Sequence, residues 1–489
     1  MTRRSVVLLS LVLALQPGPS RAQSDVAFPP DVYAGRRERL MQQVGRATVV
    51  VPGAYLIANG GHDRQDPTFW YLTGVESPYA ILVIAPAAGG RRREALFLPE
   101  RFQFAGAQYP LADERFRRAV WNLPIRRLFP GPEAQRATGI AETYPLSEFT
   151  ARLRQLAGSR DTVYVPDGGA RLYAPPGMLP PLSLGQQFAG GVRQLLPGKV
   201  VADVTPLVAK MRLIKDPHEI AALRRAAEIS AVSFREVLQA LKPGMNDLEV
   251  AGLMEYVWKR EGSPRAAFGP IVSSGPPAVS LFTLKSENYN STDRVMQAGE
   301  LVFIDYGAAE FRTYTSDLCR TYPVSGRFTD QQRKYYEIVL EAQEAAIAAV
   351  RPGVTMLEVI RAAARVYRKH GLEQFEDVER MGVDQVWGVM PSPTHYLARH
   401  GGLTAYSALG SGVRDLGHHI GLEASDSRDY SQPLAPGMAF TVEPKLYIPQ
   451  LGIAIMIEDM ILVTATGHEN LSAAAPKTVD EIESIMRAR

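Results

Sequence analysis

Apolar positions along the chain fall into two regimes. From about residue 31 to 205, short apolar runs at Ala47 to Val51, Ala80 to Ala85, Ala95 to Leu98 and Thr162 to Val165 alternate with helix-period stretches. The first of those stretches reads as a helix that Asp31 caps and that continues through Gln43. Strand-length runs separated by helices predict an α/β domain. Asp216-Pro217-His218-Glu219 then combines an N-cap, a proline in the first turn and a capping-box glutamate, which predicts a helix to about Leu241. A domain boundary is expected near residues 205 to 212.

The second regime repeats itself. A long helix ending at Leu241-Lys242-Pro243-Gly244 is followed by another starting with Leu248-Glu249-Val250. Further on, a long helix from about Asp330 ends at Val350-Arg351-Pro352-Gly353 and is followed by one carrying Leu357-Glu358-Val359. Each half then has an apolar strand behind a glycine turn, Leu301 to Ile304 and Ala439 to Val442, and each strand ends on a carboxylate, Asp305 and Glu443. Two halves of helix, helix and strands predict a pseudo-twofold domain with a site between them.

Composition narrows the classes. At 489 residues the chain has room for two to four domains of about 100 to 200 residues each. Hydrophobic residues at 46% and charged residues at 21% match a globular protein and exclude global disorder. Lys plus Arg at 54 against Asp plus Glu at 51 leaves +3, and the Arg91 to Arg93 run reads as a solvated turn, so nucleic acid is a poor partner. The single cysteine, Cys319, rules out an internal disulfide or a cysteine-built metal site and reads as a buried thiol. At the N-terminus, Arg3 and Arg4 precede the apolar run Val6 to Leu15, then Pro17-Gly18-Pro19 and Ser20-Arg21-Ala22. That pattern is a secretory signal with cleavage after Ala22, too short to span a bilayer and compatible with twin-arginine export. The chain is therefore expected in the periplasm or outside the cell.

Four acids stand where acids are costly. Asp305 and Glu443 end apolar strands, Glu458 interrupts the run Ile453 to Val463, and Asp317 returns to Asp305 across the polar turn Arg312 to Ser316. Burying an ionised carboxylate costs several kcal/mol unless a cation or hydrogen bonds compensate it. His418 sits in a glycine-flanked loop, Leu416-Gly417-His418-His419-Ile420-Gly421. Taken singly, each of these residues is as well explained by a surface charge or a satisfied loop. One imidazole with four carboxylates in matching strand contexts suits a pair of Mn²⁺, Co²⁺, Zn²⁺ or Fe²⁺ ions.

The order Ile304-Asp305-Tyr306-Gly307, Ser316-Asp317-Leu318-Cys319-Arg320-Thr321-Tyr322-Pro323, Gly417-His418-His419-Ile420-Gly421-Leu422-Glu423, Thr441-Val442-Glu443-Pro444 and Ile457-Glu458-Asp459 resembles the aminopeptidase P and prolidase family of pita-bread metallopeptidases. Phe69-Trp70-Tyr71-Leu72-Thr73-Gly74 resembles that group's N-terminal domain, and Met211 to Pro217 its interdomain segment. The resemblance implies an α+β architecture: signal peptide 1–22, α/β domain 23–207, pita-bread catalytic domain 208–489. It implies a dinuclear, Mn²⁺-dependent exopeptidase that removes the residue before a proline by means of a metal-bridging hydroxide. Proline-containing peptides would be the substrates and a homo-oligomer, dimer or tetramer, the assembly. Carried over residue by residue, Asp317 and Glu458 bridge both ions, Asp305 binds one, His418 and Glu443 bind the other, and Glu443 also takes a proton from the water.

The surroundings depart from the family pattern. Phe282, Arg414 and Ser425 stand where relatives carry histidines, Met456 stands where they carry an arginine, and the stretch Thr283 to Arg294 reads as an insertion. Arg414 is the candidate replacement donor, with His395, His400 and His419 as alternatives. These losses keep two other readings open: a prolidase-like dipeptidase or peptidase of altered specificity, and a non-catalytic metal or peptide binder.

Overall fold

The computed structural model describes residues 28–488 except 54–64, 78, 88, 90, 100–102, 105–106, 109–127, 159–160, 169–176, 178, 180, 281–292, 308, 372–396, 401–402, 407–415 and 427–431. Residues 1–22, expected to be a signal segment, and Phe282, Arg414 and His395 lie outside the described residues. No helix among those described is long and apolar enough to cross a membrane.

The N-terminal region is an α/β layer. Its six-stranded sheet runs in the order Glu142–Pro145, Arg92–Leu98, Ile81–Pro86, Thr48–Pro52, Thr162–Val165, Val200–Asp203. The middle three strands pair antiparallel and the outer connections are parallel, so the sheet is mixed. All four apolar runs singled out above are strands within it. Two expectations need correction. The first helix is Pro30–Val44 with Pro29 at its N-cap and no side-chain cap bond; Asp31 lies in its first turn, where a carboxylate still suits the helix dipole. Arg92 and Arg93 are not turn residues but open a strand, on which they pair with Glu38, Glu94 and Glu142.

The second region repeats as expected. The helix Pro217–Ala240 starts with the capping box of Asp216 and Glu219 and packs on Asp247–Arg260. In the other half, Asp330–Ala349 starts with a Thr329 and Gln332 capping box and packs on Met356–Lys369. The first half contributes an antiparallel sheet of Ile271–Ser274, Leu301–Asp305 and Cys319–Pro323, the second a sheet of Ala439–Val442, Asp459–Val463 and His468–Asn470. Another sheet holds Leu397–His400, Leu403–Tyr406, Lys445–Ile448 and Ile453–Met456. The apolar run at 453 to 463 is thus two strands in two different sheets, and Glu458 occupies the break between them.

One apolar core passes through both regions, from Phe28, Tyr33 and Trp70 to Tyr314, Phe440 and Ile482. The helix Thr205–Arg212 runs across position 207/208 without interruption. Arg36, fully buried on the first helix, donates to the Tyr71 carbonyl at 3.1 Å and pairs with Asp216 at 2.8 Å and Glu219 at 3.3 Å. The buried charge is therefore shared between the two regions.

Candidate metal centre

The apolar strand Leu301–Asp305 pairs with Cys319–Pro323 so that Asp305 faces Cys319 across the ladder. The connecting turn is held from inside: Gly307 donates to the Leu318 carbonyl at 3.2 Å, and the Ser230 and Ser316 hydroxyls donate to the Gly307 carbonyl. A side chain at position 307 would put its Cβ 2.5 Å from that of Leu318, which is why glycine stands there. The turn leaves Asp317 two residues ahead of its strand and buried.

Glu458 arrives from the other half. Its N–H donates to the Cys319 carbonyl at 3.0 Å, and its own carbonyl accepts from Arg320. The Arg320 guanidinium is fully buried, pairs with Asp459 at 2.6 Å and donates to the carbonyls of Cys319, Ala475 and Pro476. It fastens the 319–323 strand to the break that carries Glu458. His418 is placed by backbone pairing: its N–H donates to the Thr441 hydroxyl at 3.0 Å, its carbonyl accepts from Thr441 at 2.9 Å, and Glu443 donates to Leu416 at 2.7 Å.

Asp317, His418 and Glu458 consequently offer ligand atoms that all lie within 4.8 Å of one another. His418 Nε2 is 3.3 Å from Asp317 Oδ2 and 3.6 Å from Glu443 Oε1. Asp305 interacts electrostatically with Asp317 and Glu443. The four carboxylates are between 1% and 7% exposed.

Crowding of like charge in a buried basin shows in their proton affinities. Burial, then the nearness of Asp317 and Glu443, pushes the Asp305 carboxyl well above its ordinary range. Burial and the other three acids do the same to Glu458, and burial raises Asp317 against the pull of His418. Glu443 goes the other way: burial opposes its ionisation, but Lys445 and His418 more than offset it. Glu458 Oε2 is buried and has no hydrogen-bond partner among the described residues. An oxygen-rich, negatively charged basin with an orphaned carboxylate oxygen fits a divalent cation.

Residues 221–465 match the model of metallopeptidase family M24, and residues 33–164 match that of the aminopeptidase P N-terminal domain. The chain belongs to the aminopeptidase P family of M24 metallopeptidases. Its class is that of a metallo-exopeptidase. It is 31% identical to the Xaa-Pro aminopeptidase of Escherichia coli over 473 residues, covering 93% of this chain and 97% of the relative. Human Xaa-Pro aminopeptidase 3 is 27% identical, with 93% and 85% covered. The structure of E. coli aminopeptidase P with the inhibitor Pro-Leu superposes with a TM-score of 0.72 at 30% identity, covering 94% of this chain and 99% of that one.

Several positions expected to depart from the family pattern are among the described residues. Met456 is fully buried and lies directly across the strand ladder from Lys445. Ser425, half-buried, precedes Asp426, which pairs with Arg212 and, at 3.0 Å, with Lys215. His419 is buried beside Phe440 and turns away from solvent, while His400 lies on the strand Leu397–His400. Sequence reasoning gave no role to two residues: Arg320, whose work is fastening backbone carbonyls, and Lys445. A lysine in the otherwise apolar strand Lys445–Ile448, two residues after Glu443, was the signal for the second.

Proposed function

We propose that this chain is an exported aminopeptidase that uses two divalent ions, Mn²⁺ foremost, to remove the N-terminal residue from peptides whose second residue is proline. The observation that carries this reading is the convergence of Asp317, His418 and Glu458, with Glu443 and Asp305 beside them, in a chain similar along nearly its whole length to Xaa-Pro aminopeptidases. Asp317 and Glu458 would bridge the two ions, Asp305 would hold one, and His418 with Glu443 the other. Such ions supply Lewis acidity for the scissile carbonyl and activate water near neutral pH. Glu443, whose carboxyl Lys445 and His418 hold below its ordinary range, would accept the proton of the attacking water, and its burial would strengthen each charge interaction.

The missing histidines set the expected rate. A positioned proton donor contributes about 10²- to 10⁴-fold, so with Phe282 and Ser425 in place of histidines, cleavage is expected to be measurable but slow. The test is a panel of Xaa-Pro tripeptides, Xaa-Pro dipeptides and Xaa-Ala tripeptides, with chelated and Mn²⁺-loaded protein. Release of the first residue from the Xaa-Pro tripeptides, only with metal, is the expected result. Cleavage of dipeptides alone would replace this reading with a prolidase-like one, and metal binding without any cleavage would make the chain a binder. Export rests on the charged start, short apolar core and Ser20-Arg21-Ala22. Mass spectrometry of the protein from an exported fraction should find its N-terminus at Gln23; Met1 retained on the protein would overturn export.

A further inference from the structure

Lys445 is almost fully buried, and its Nζ lies 2.7 Å from Glu443 Oε2. The other oxygen of Glu443 accepts from the Thr441 hydroxyl at 3.2 Å and lies 3.6 Å from His418. Both oxygens of this one carboxylate are therefore engaged by groups of the chain, and one of those groups is a fixed cation. Glu458 Oε2, by contrast, is buried without a hydrogen-bond partner among the described residues.

Strand register explains how the lysine gets there. Lys445 pairs with Met456 and Tyr447 with Ala454 across the ladder. Met456, Tyr447 and Ala454 form an apolar wall with Ile271, Phe303 and Cys319. The lysine stem runs along that wall and delivers its ammonium to the carboxylates. The cation thus stands directly across the ladder from Met456 and bonds a prospective ligand.

We propose that Lys445 makes the two ion positions unequal. Resting on the five-residue centre proposed above, one position draws on Asp305, Asp317 and Glu458, three carboxylates on which the Lys445 charge acts more weakly than on Glu443. The other draws on His418 and Glu443, and an ion entering it meets the Lys445 ammonium on Glu443 Oε2. The first ion binds tightly on the Asp305 side; the second binds weakly on the His418 side and exchanges readily. A unit positive charge beside a divalent ion in a partly dry site weakens its binding by about tenfold or more.

The experiment is a Mn²⁺ titration of chelator-stripped full-length protein by calorimetry, with free Mn²⁺ counted by electron paramagnetic resonance. Wild type should show two steps whose dissociation constants differ by about tenfold or more. Lys445→Met, which suits the apolar wall, should tighten the second step by a similar factor, and Lys445→Arg, which keeps the charge, should preserve the gap. Two equal steps in wild type overturn the proposal without needing any variant, and so does an unchanged gap in a folded Lys445→Met protein. In both of those cases two bound ions leave the centre itself standing. Absence of Mn²⁺ binding by wild type would instead overturn the centre and this inference together.

Discussion

His418 and His419 are neighbours in sequence with opposite surroundings. His418 faces Asp317 and Glu443, whereas His419 is 2% exposed and burial, then the charge of Lys215, depress its imidazole to about 4. The unfolded imidazole titrates near 6.5, so between the two values the unfolded chain takes up a proton that the native one refuses. His419 therefore contributes its stability in full above about 6.5 and loses it as pH falls toward 4, a change of about 3 kcal/mol. Urea unfolding at pH 7.5 and pH 5 should show wild type losing stability, and His419→Gln losing distinctly less. Equal losses in the two proteins would remove the imidazole as the cause. At this scale the acids and His418 were legible because a carboxylate ending an apolar run is expensive to leave uncompensated. Lys445 was not, because its partner is set by a side chain's path along a wall that only the folded sheets assemble.

At the scale of elements, capping carried the reading. The boxes at Asp216 with Glu219 and the apolar period behind them marked the helix Pro217–Ala240 to within a residue or so. The run at 453 to 463 misled in continuity alone: hydrophobicity does not record which sheet a strand joins, and only Glu458 marked the break. The loop carrying His418 works as an extra strand, laid against Ala439–Val442 through the bonds of Leu416, His418 and Ile420. Its approach is so close that a Cβ on Gly417 would lie 1.7 Å from the Thr441 carbonyl oxygen. Gly417→Ala must push the loop outward and His418 with it, at a cost of about 1–3 kcal/mol. Weaker Mn²⁺ binding together with a lower urea midpoint is expected. Gly467→Ala, where a Cβ meets nothing within 4 Å, serves as the control. If both variants bound Mn²⁺ like wild type, the close approach would not be what positions the imidazole.

Across the whole molecule, the two regimes of the sequence correspond to two regions, and their order could be read from where the apolar period changes. Their joint could not, since it depends on residues nearly 300 positions apart. Trp70 stacks edge-on against Tyr314 at 5.6 Å, and Phe28 lies 5.7 Å from both rings. Tyr314 also donates to Glu219 at 2.8 Å, the same glutamate that Arg36 reaches from the first helix. Tyr314 lies three residues before Asp317. The turn that presents that carboxylate is thus walled on one side by the N-terminal region. In terms of inheritance, the two regions travel as one unit. A recombinant that borrows its first 200 residues from a relative keeps its centre only if the newcomer brings a matching aromatic face and a guanidinium in register with Glu219. Without them, the exchange leaves a buried acid unanswered a few residues from the chemistry.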